Sequence, residues 1–522
     1  MKSERWILVV ALIAGALLRL PSLDLRSMHT DEAVHAVKFG TLLETGTYRY
    51  DKDEYHGPTL NYLTLLPTWI SSGRKLADLT ETTLRIVPVF FGFCLVVLLI
   101  FVRDIDKKPL SFAAILTACS PAMVYYSRYY IQEVLLVCFA FGLIVAGYRL
   151  VISGRTFWAI VAGVCAGLMH ATKETALISF GAMGLAMLGV LLLRRREGRP
   201  GFSVSARNLV VALFSGVAVS VMFFSSFFTH WQGVADSVLA YQTYVGRAGQ
   251  SAIHGHPWYY YLQVLTWSKG DHGPLWTESA IIALGLLGIW SALREKAGSE
   301  HGGRDLRIFL GLYAILMFVI SSAIPYKTPW SILSALQPLI IMAGCGLATF
   351  INWLGARRLR GVGILITALL VGHLTWQAYL ANFKYYDDPA NPYVYSHPTN
   401  DVKLVAGIVK DVAQTSPDGL SMPVQVVCPG DDYWPLPWYL RSMPNVGWWN
   451  AVPENFLPTS LILASPEVEA GLLVKLYERP SPGNRPLYVP LFDRTMILRP
   501  GMEIRGYVRL DLWEKARKGA VQ

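Results

Sequence analysis

The sequence predicts a polytopic, all-helical membrane domain followed by an extracytoplasmic α/β domain. Three observations carry that prediction. The chain of 522 residues is 53% hydrophobic and only 16% charged, whereas a soluble domain carries about a quarter charged residues. Several apolar runs reach the roughly 18 residues that suggest a membrane span. After residue 380 the pattern changes to amphipathic and strand-like stretches separated by polar turns.

The N-terminal run MKSERWILVVALIAGALLRLPSLDL lacks a small-residue cleavage site after its apolar core, so it reads as an uncleaved first span at 5–21 rather than a signal peptide. Ten further spans are expected at 82–102, 110–126, 130–151, 156–171, 175–193, 208–228, 275–293, 307–324, 330–353 and 361–380. Alternate connectors are basic: Arg103/Lys107/Lys108, Arg149/Arg155, Arg194/Arg195/Arg196/Arg199, Arg294/Lys296/Arg304/Arg307 and Arg357/Arg358/Arg360. Short basic loops belong in the cytoplasm. The N-terminus is therefore expected inside, and an odd span count sends the C-terminus out. The same placement explains the formal charge of +10 without nucleic acid, for which no binding motif is present. Cys94, Cys119, Cys138, Cys165 and Cys345 lie in apolar runs and Cys428 stands alone, which suggests neither a disulfide framework nor a zinc site.

The opposite face receives the first loop (22–81), SRYYIQE (127–133), HATKET (170–175), a segment at 229–274 and IPYKTPW (324–330). In the first loop, Ala33–Leu43 has an apolar stripe at helical spacing, and TLNYLTLLPTWI (59–70) is apolar but too short to span. Both are expected to lie in the membrane interface. The domains expected are 1–380 and 381–522. Within the second, TNDVKLVAGIVKDVAQ reads as a capped amphipathic helix, and 424–428 and 460–464 read as strands.

Ionisable residues accumulate on that one face. RSMHTDEAVHAVKFG packs His29, Asp31, Glu32 and His35 into seven residues, and His56, Arg128, Glu133, Lys173, Glu174, His254, His256, Asp271, His272, Tyr326 and Lys327 map to the same side. Such groups near spans are costly and usually face a cavity or a partner, so a cluster drawn from many loops is a site signature. Local sequence leaves plainer alternatives open. Asp31 and Glu32 suit a helix start, where acids meet the positive end of the dipole. Arg128 and Lys173 suit pairs with Glu133 and Glu174. Glu32 with His35, or His254 with His256, supplies part of a metal set but no complete one. The aromatics after His256 suit an interfacial belt. In PGDDYWPLPWYLR (429–441), Trp434 and Trp438 suit docking on the membrane core as well as contact with an acceptor.

Taken in order, an Asp-Glu helix start after the first span, YHGPTLNYL before the second, then SRYYIQE, HATKETA and YKTPW resemble the GT-C glycosyltransferases. The likeness is to the protein O-mannosyltransferase and aminoarabinose-transferase branch, and to a flippase-activity-associated bacterial and archaeal subfamily. It covers about residues 1–380, with HPTNDV and DDYWPLPWYLR beyond. HGP stands where relatives often show His-Pro-Pro, and TKE differs from the aminoarabinose branch's Lys-Gly-Pro. The resemblance implies a polyprenyl-phosphate sugar as donor and a glycan, protein or lipid acceptor outside the cytoplasm. Asp31 would be the general base of an inverting transfer, with Glu32 beside it. Arg128 and Lys173 would meet the leaving phosphate, with His56 and Lys327 as second choices. His29, Glu133, Glu174, Tyr326 and Trp434 would line the substrates. No cofactor or metal is expected, although a divalent cation stays compatible. Two other classes compete: a polytopic lipid or glycolipid transporter, for which inverted repeats would be expected and none is seen, and a non-catalytic assembly subunit on the same fold.

Overall fold

The computed structural model describes residues 2–53, 56–102, 105, 107–248, 254–295, 303–478 and 485–519. Arg103 and Lys296 of the basic connectors lie outside these residues. Every apolar run expected to span is a helix. Among the described residues, seven helices are long and apolar enough to cross a membrane. An eighth follows if Lys107–Cys119 and Pro121–Ser127, bent by 57° at their junction, count as one. Trp6–Arg19, Thr156–His170 and Ser279–Arg294 occupy the other three expected places but are shorter. Length thus supports seven or eight crossings where eleven were expected.

The chain divides into two compact units. The first comprises residues 1–23, 47–71 and 82–395 and contains the apolar helices. Small residues let these helices approach closely, the packing that substitutes for a hydrophobic drive inside lipid. A Cβ on Gly288 would stand 2.0 Å from the Met342 carbonyl oxygen, and one on Gly346 would stand 1.9 Å from that of Leu284. Ser279–Arg294 and Leu333–Ala356 therefore pack backbone against backbone. Helix Thr59–Ile70 buries Thr59, Asn61, Thr64 and Thr68 while exposing Leu66, Trp69 and Ile70.

The second unit comprises 24–46, 72–81 and 396–522. The expected boundary at 380/381 thus falls inside the first unit, and part of the first loop belongs to the second. A mixed sheet is built from β1 (Val424–Val427), β2 (Val446–Trp449), β3 (Leu461–Ala464), β4 (Tyr488–Pro490), β5 (Met496–Arg499) and β6 (Met502–Arg509). Its order is β2-β1-β3-β6-β4, with β5 also on β6. The first three strands run parallel and β6 lies antiparallel to β3. Both expected strands are present as β1 and β3, fully buried in β3. The expected helix is Asp401–Thr415, burying Val402, Val405, Val409 and Val412 with Ile408 half-buried. Its first N–H bonds to Thr399 Oγ1 at 3.2 Å.

One expectation is corrected. The helix over Ala33–Leu43 is real, running Thr30–Thr45, but its stripe does not lie in a membrane interface. Ala33, Ala36 and Phe39 are fully buried inside the second unit. The segment before it is tied to the same unit: Met28 N donates to Tyr439 Oη at 2.8 Å, and Lys403 Nζ donates to the Asp24 and Leu25 carbonyls at 3.0 Å each. An apolar stripe cannot show from its own spacing whether lipid or protein covers it.

Candidate functional site

The Asp-Glu helix start is a reciprocal cap. His29 is the N-cap: its Nδ1 accepts from Asp31 N at 3.1 Å, while His29 N donates to Glu32 Oε2 at 3.0 Å. Together these satisfy two of the N–H groups that a helix start leaves open. Because Nδ1 accepts, the ring proton sits on Nε2. The ring also stacks on His397, with centroids 5.9 Å apart. Glu32 is fully buried, and its other oxygen lies 3.7 Å from the Arg26 guanidinium. Asp31 differs sharply: its side chain is 47% exposed, and its carboxylate lies 3.8 Å from His29 Nδ1. The cap fixes the backbone at Asp31 through its N–H and leaves the carboxylate open to water.

The first unit gathers a second polar cluster, from the HGP and HATKET segments. Thr59 N bonds to the Ala171 carbonyl at 3.2 Å, and the hydroxyls of Thr59 and Thr172 are 2.8 Å apart. Gly57 permits this approach, since a Cβ there would stand 2.2 Å from the Ala171 oxygen. The junction brings His56 to Glu174, Nδ1 to Oε2 at 2.8 Å, and Tyr50 Oη donates to Glu174 Oε1 at 3.2 Å. Tyr244 Oη is also 2.8 Å from His56 Nδ1. Burial works against the charge of Glu174, but the His56 imidazole and Lys173 still hold its carboxyl below its ordinary value. Lys173 pairs with Glu133. Burial likewise opposes its charge, and the Glu133 carboxylate overcomes it and raises the ammonium.

Arg128 ends the short helix Pro121–Ser127 and serves the C-terminal end of Lys2–Arg19. Its Nη1 donates to the carbonyls of Leu18, Arg19 and Pro21 at 3.3, 3.0 and 2.7 Å, and its Nη2 to that of Ser22 at 2.9 Å. The cation thus sits at the negative end of a helix dipole. In YKTPW, Lys327 Nζ donates to the His256 and Ile324 carbonyls at 3.0 and 2.5 Å, and burial lowers its pKa. The strand-like pairing of Gly255 with Tyr326 holds this arrangement. Tyr326 is 40% exposed and packs its ring edge-on to His254, whose Nδ1 is 2.5 Å from Tyr395 Oη. Among the described residues no three His, Cys, Asp or Glu side chains group as ligands for a metal ion.

In the second unit Trp434 is half-buried beside Tyr433. Trp438 meets the first residue of the apolar helix Glu81–Leu98. It is fully buried, donates from Nε1 to Glu81 Oε1 at 2.9 Å, and is covered by the Arg441 guanidinium at 3.8 Å.

Glu278 was missed by sequence reasoning. It is buried at the start of Ser279–Arg294 and accepts from Ser120 Oγ at 2.5 Å, Ala122 N at 3.1 Å and Tyr393 Oη at 2.8 Å. Its partners sit at the bend between Lys107–Cys119 and Pro121–Ser127, so it braces the helix that carries Arg128. A lone acid in PLWTESA carries no local signal of this.

Residues 63–225 match the family model of dolichyl-phosphate-mannose-protein mannosyltransferase. No curated protein matches the chain. Among solved structures, ArnT from Cupriavidus metallidurans in the apo state is similar over 97% of this chain and 98% of its own, at 16% identity and a TM-score of 0.61. The fold is that of a GT-C glycosyltransferase. The same ArnT bound to undecaprenyl phosphate gives a TM-score of 0.59, at 16% identity over 96% of this chain and 97% of that one. The Archaeoglobus fulgidus oligosaccharyltransferase tethered with an acceptor peptide gives 0.57, at 14% identity over 89% and 69%. The partial family match and the fold agree with the GT-C resemblance of the motifs, and the apolar helices with a multi-pass membrane protein. They do not single out the flippase-activity-associated branch.

Proposed function

We propose that this GT-C glycosyltransferase moves a sugar from a polyprenyl-phosphate donor to an extracytoplasmic acceptor with inversion, using Asp31 as general base. The observation that carries the reading is the division of labour at the helix start: Glu32 is buried in the cap, and Asp31 is exposed with its backbone fixed. In the transfer, an acceptor hydroxyl attacks the anomeric carbon as Asp31 takes its proton. The bond from that carbon to the phosphate oxygen breaks, and the electron pair leaves with the lipid phosphate. The mannosyltransferase family match and the ArnT structure bound to undecaprenyl phosphate support such a donor.

A departing phosphate monoester needs positive charge more than it needs an acid. Lys173 and Lys327 would supply point charges, with His56, paired to Glu174, as a further donor. Arg128, bonded to four carbonyls, would contribute chiefly by holding the end of the first helix. His29 would orient Asp31, and Glu133 and Glu174 would orient Lys173 and His56. Tyr326 and Trp434, both partly exposed, would contact substrate. A monophosphate donor needs no divalent ion on this scheme, so transfer should persist in EDTA; loss restored by manganese or magnesium would contradict it.

The test is to incubate purified protein with a panel of radiolabelled polyprenyl-phosphate sugars. Label should leave one donor in the wild type and stay in place with Asp31→Asn. A wild type that moves no label, or an Asp31→Asn protein as active as wild type, overturns the proposal.

A further inference from the structure

The second unit holds a pocket of about 560 Å³ between Asp401–Thr415, the C-terminal helix Leu510–Gly519 and the loop joining β4 to β5. That volume falls in the range of small-ligand sites. Its apolar floor includes Phe492 and Trp513, and its rim carries Asp411, Asp493, Arg494 and Arg517. Two features show that the walls are ordered. Asp401 holds the Arg494 guanidinium through two bonds, at 2.8 and 2.5 Å, and also accepts from Ile497 N at 3.0 Å. The Arg517 guanidinium lies over the Trp513 ring at 5.0 Å.

Because Asp401 already takes the Arg494 fork, the rim offers Asp411 and Asp493 as acceptors and Arg517 as a donor, a mixed set that favours neither an anion nor a bare cation. The two carboxylates accept in pairs and the Arg517 guanidinium donates in a planar fork. Rings beneath them offer apolar surface to C–H groups. A neutral ligand with adjacent hydroxyls and an apolar ring face matches all of these together. The geometry points to a neutral oligosaccharide site in the second unit, recognising the glycan of an acceptor. This rests on the glycosyltransferase reading for its purpose but not for its chemistry.

Binding can be measured without any donor, by saturation-transfer NMR and calorimetry on the full-length protein in detergent. The probes are neutral disaccharides (mannobiose, chitobiose and maltose) and, as a contrast, an uncharged peptide. At least one disaccharide should bind. The exposed double change Asp411→Asn with Asp493→Asn should weaken it roughly tenfold or more by removing charged acceptors, and Trp513→Ala should do the same. Transfer of sugar from donor to water should be unchanged in the Asn variant, which separates this site from the proposed catalytic one. No saccharide binding, binding that survives both changes, or binding of the peptide alone overturns the inference. A donor assay that fails in wild type would sink the proposed function and leave this result standing.

Discussion

Asp31 and Glu32 are neighbours in sequence and opposites in circumstance. The acid that caps the helix and faces Arg26 is a stability residue; the exposed one is available for chemistry. Asp31→Asn should therefore cut transfer by about 10²- to 10⁴-fold, the usual worth of a general base. Its thermal stability should move by no more than about 0.5 kcal/mol. Glu32→Gln should reverse the pattern, losing ~1–3 kcal/mol because the buried Arg26 cation loses its charged partner, even where the amide oxygen keeps the cap bond. Thermal melts beside turnover decide it, and a stability loss in Asp31→Asn equal to that of Glu32→Gln would refute the division. Glu174 gives a pH signature. A carboxyl held below its unfolded value stabilises the fold above that value and loses the contribution as pH falls through the folded one. Melting temperature should thus drop below pH 4.5, the ordinary value for this group, and Glu174→Gln should flatten that limb. An identical acid limb in the variant would show that the His56 pair contributes nothing. The acids were legible in sequence as a helix start, but which one is exposed was not. Their surroundings, His397 and Tyr439, lie several hundred residues away along the chain.

At the scale of elements, apolar periodicity made the helices legible, and short apolar runs flanked by turns revealed β1 and β3. Of the other four, β2 and β4 are half-buried and carry weak patterns, while β6 alternates over eight residues, MEIRGYVR, but its apolar positions are interrupted by Gly506 and flanked by charges. The junction of HGP with HATKET was legible only as two separate motifs; Gly57 explains why they meet. Gly57→Ala should separate the backbones and cost about 1–3 kcal/mol of stability, as overpacking does. The reorganised His56–Glu174 contact should lower turnover as well, and a variant with normal melting and normal activity would contradict the close approach. Glu278 shows what periodicity cannot reach. It links three segments that only tertiary folding brings together. Glu278→Ala should destabilise the protein by ~3 kcal/mol or more, leaving buried donors unpaired, while Glu278→Gln keeps an acceptor and should cost less. Equal, small losses in detergent melts would mean that the bend does not depend on this carboxyl.

At the scale of the whole molecule, the division into units and the membrane topology bear on what the second unit is for. Because 24–46 and 72–81 fold with 396–522, removing residues 391–522 takes away the partners of the Asp31 helix as well as any acceptor site. Transfer should be lost completely, and limited proteolysis should open the chain within 24–46; a truncated protein with normal transfer would refute this. Topology turns on parity: seven or eleven crossings place the two ends on opposite sides, and eight place them on the same side. The basic connectors favour the odd count, and the first unit shows two of them meeting. Arg199 pairs with Asp305 at 2.7 Å, and Arg304 pairs with Glu197 at 2.7 Å. Residues 194–199 and 303–307 therefore lie on one face, which requires Ser279–Arg294 to cross as well as Ala206–Phe224 and so favours eleven crossings over seven or eight. That face is expected to be cytoplasmic, with the second unit outside. A C-terminal fluorescent reporter that matures only in the cytoplasm should stay dark, and a phosphatase that folds only outside it should be active. The reverse pair of signals would overturn the orientation and, with it, the assignment of an extracytoplasmic acceptor.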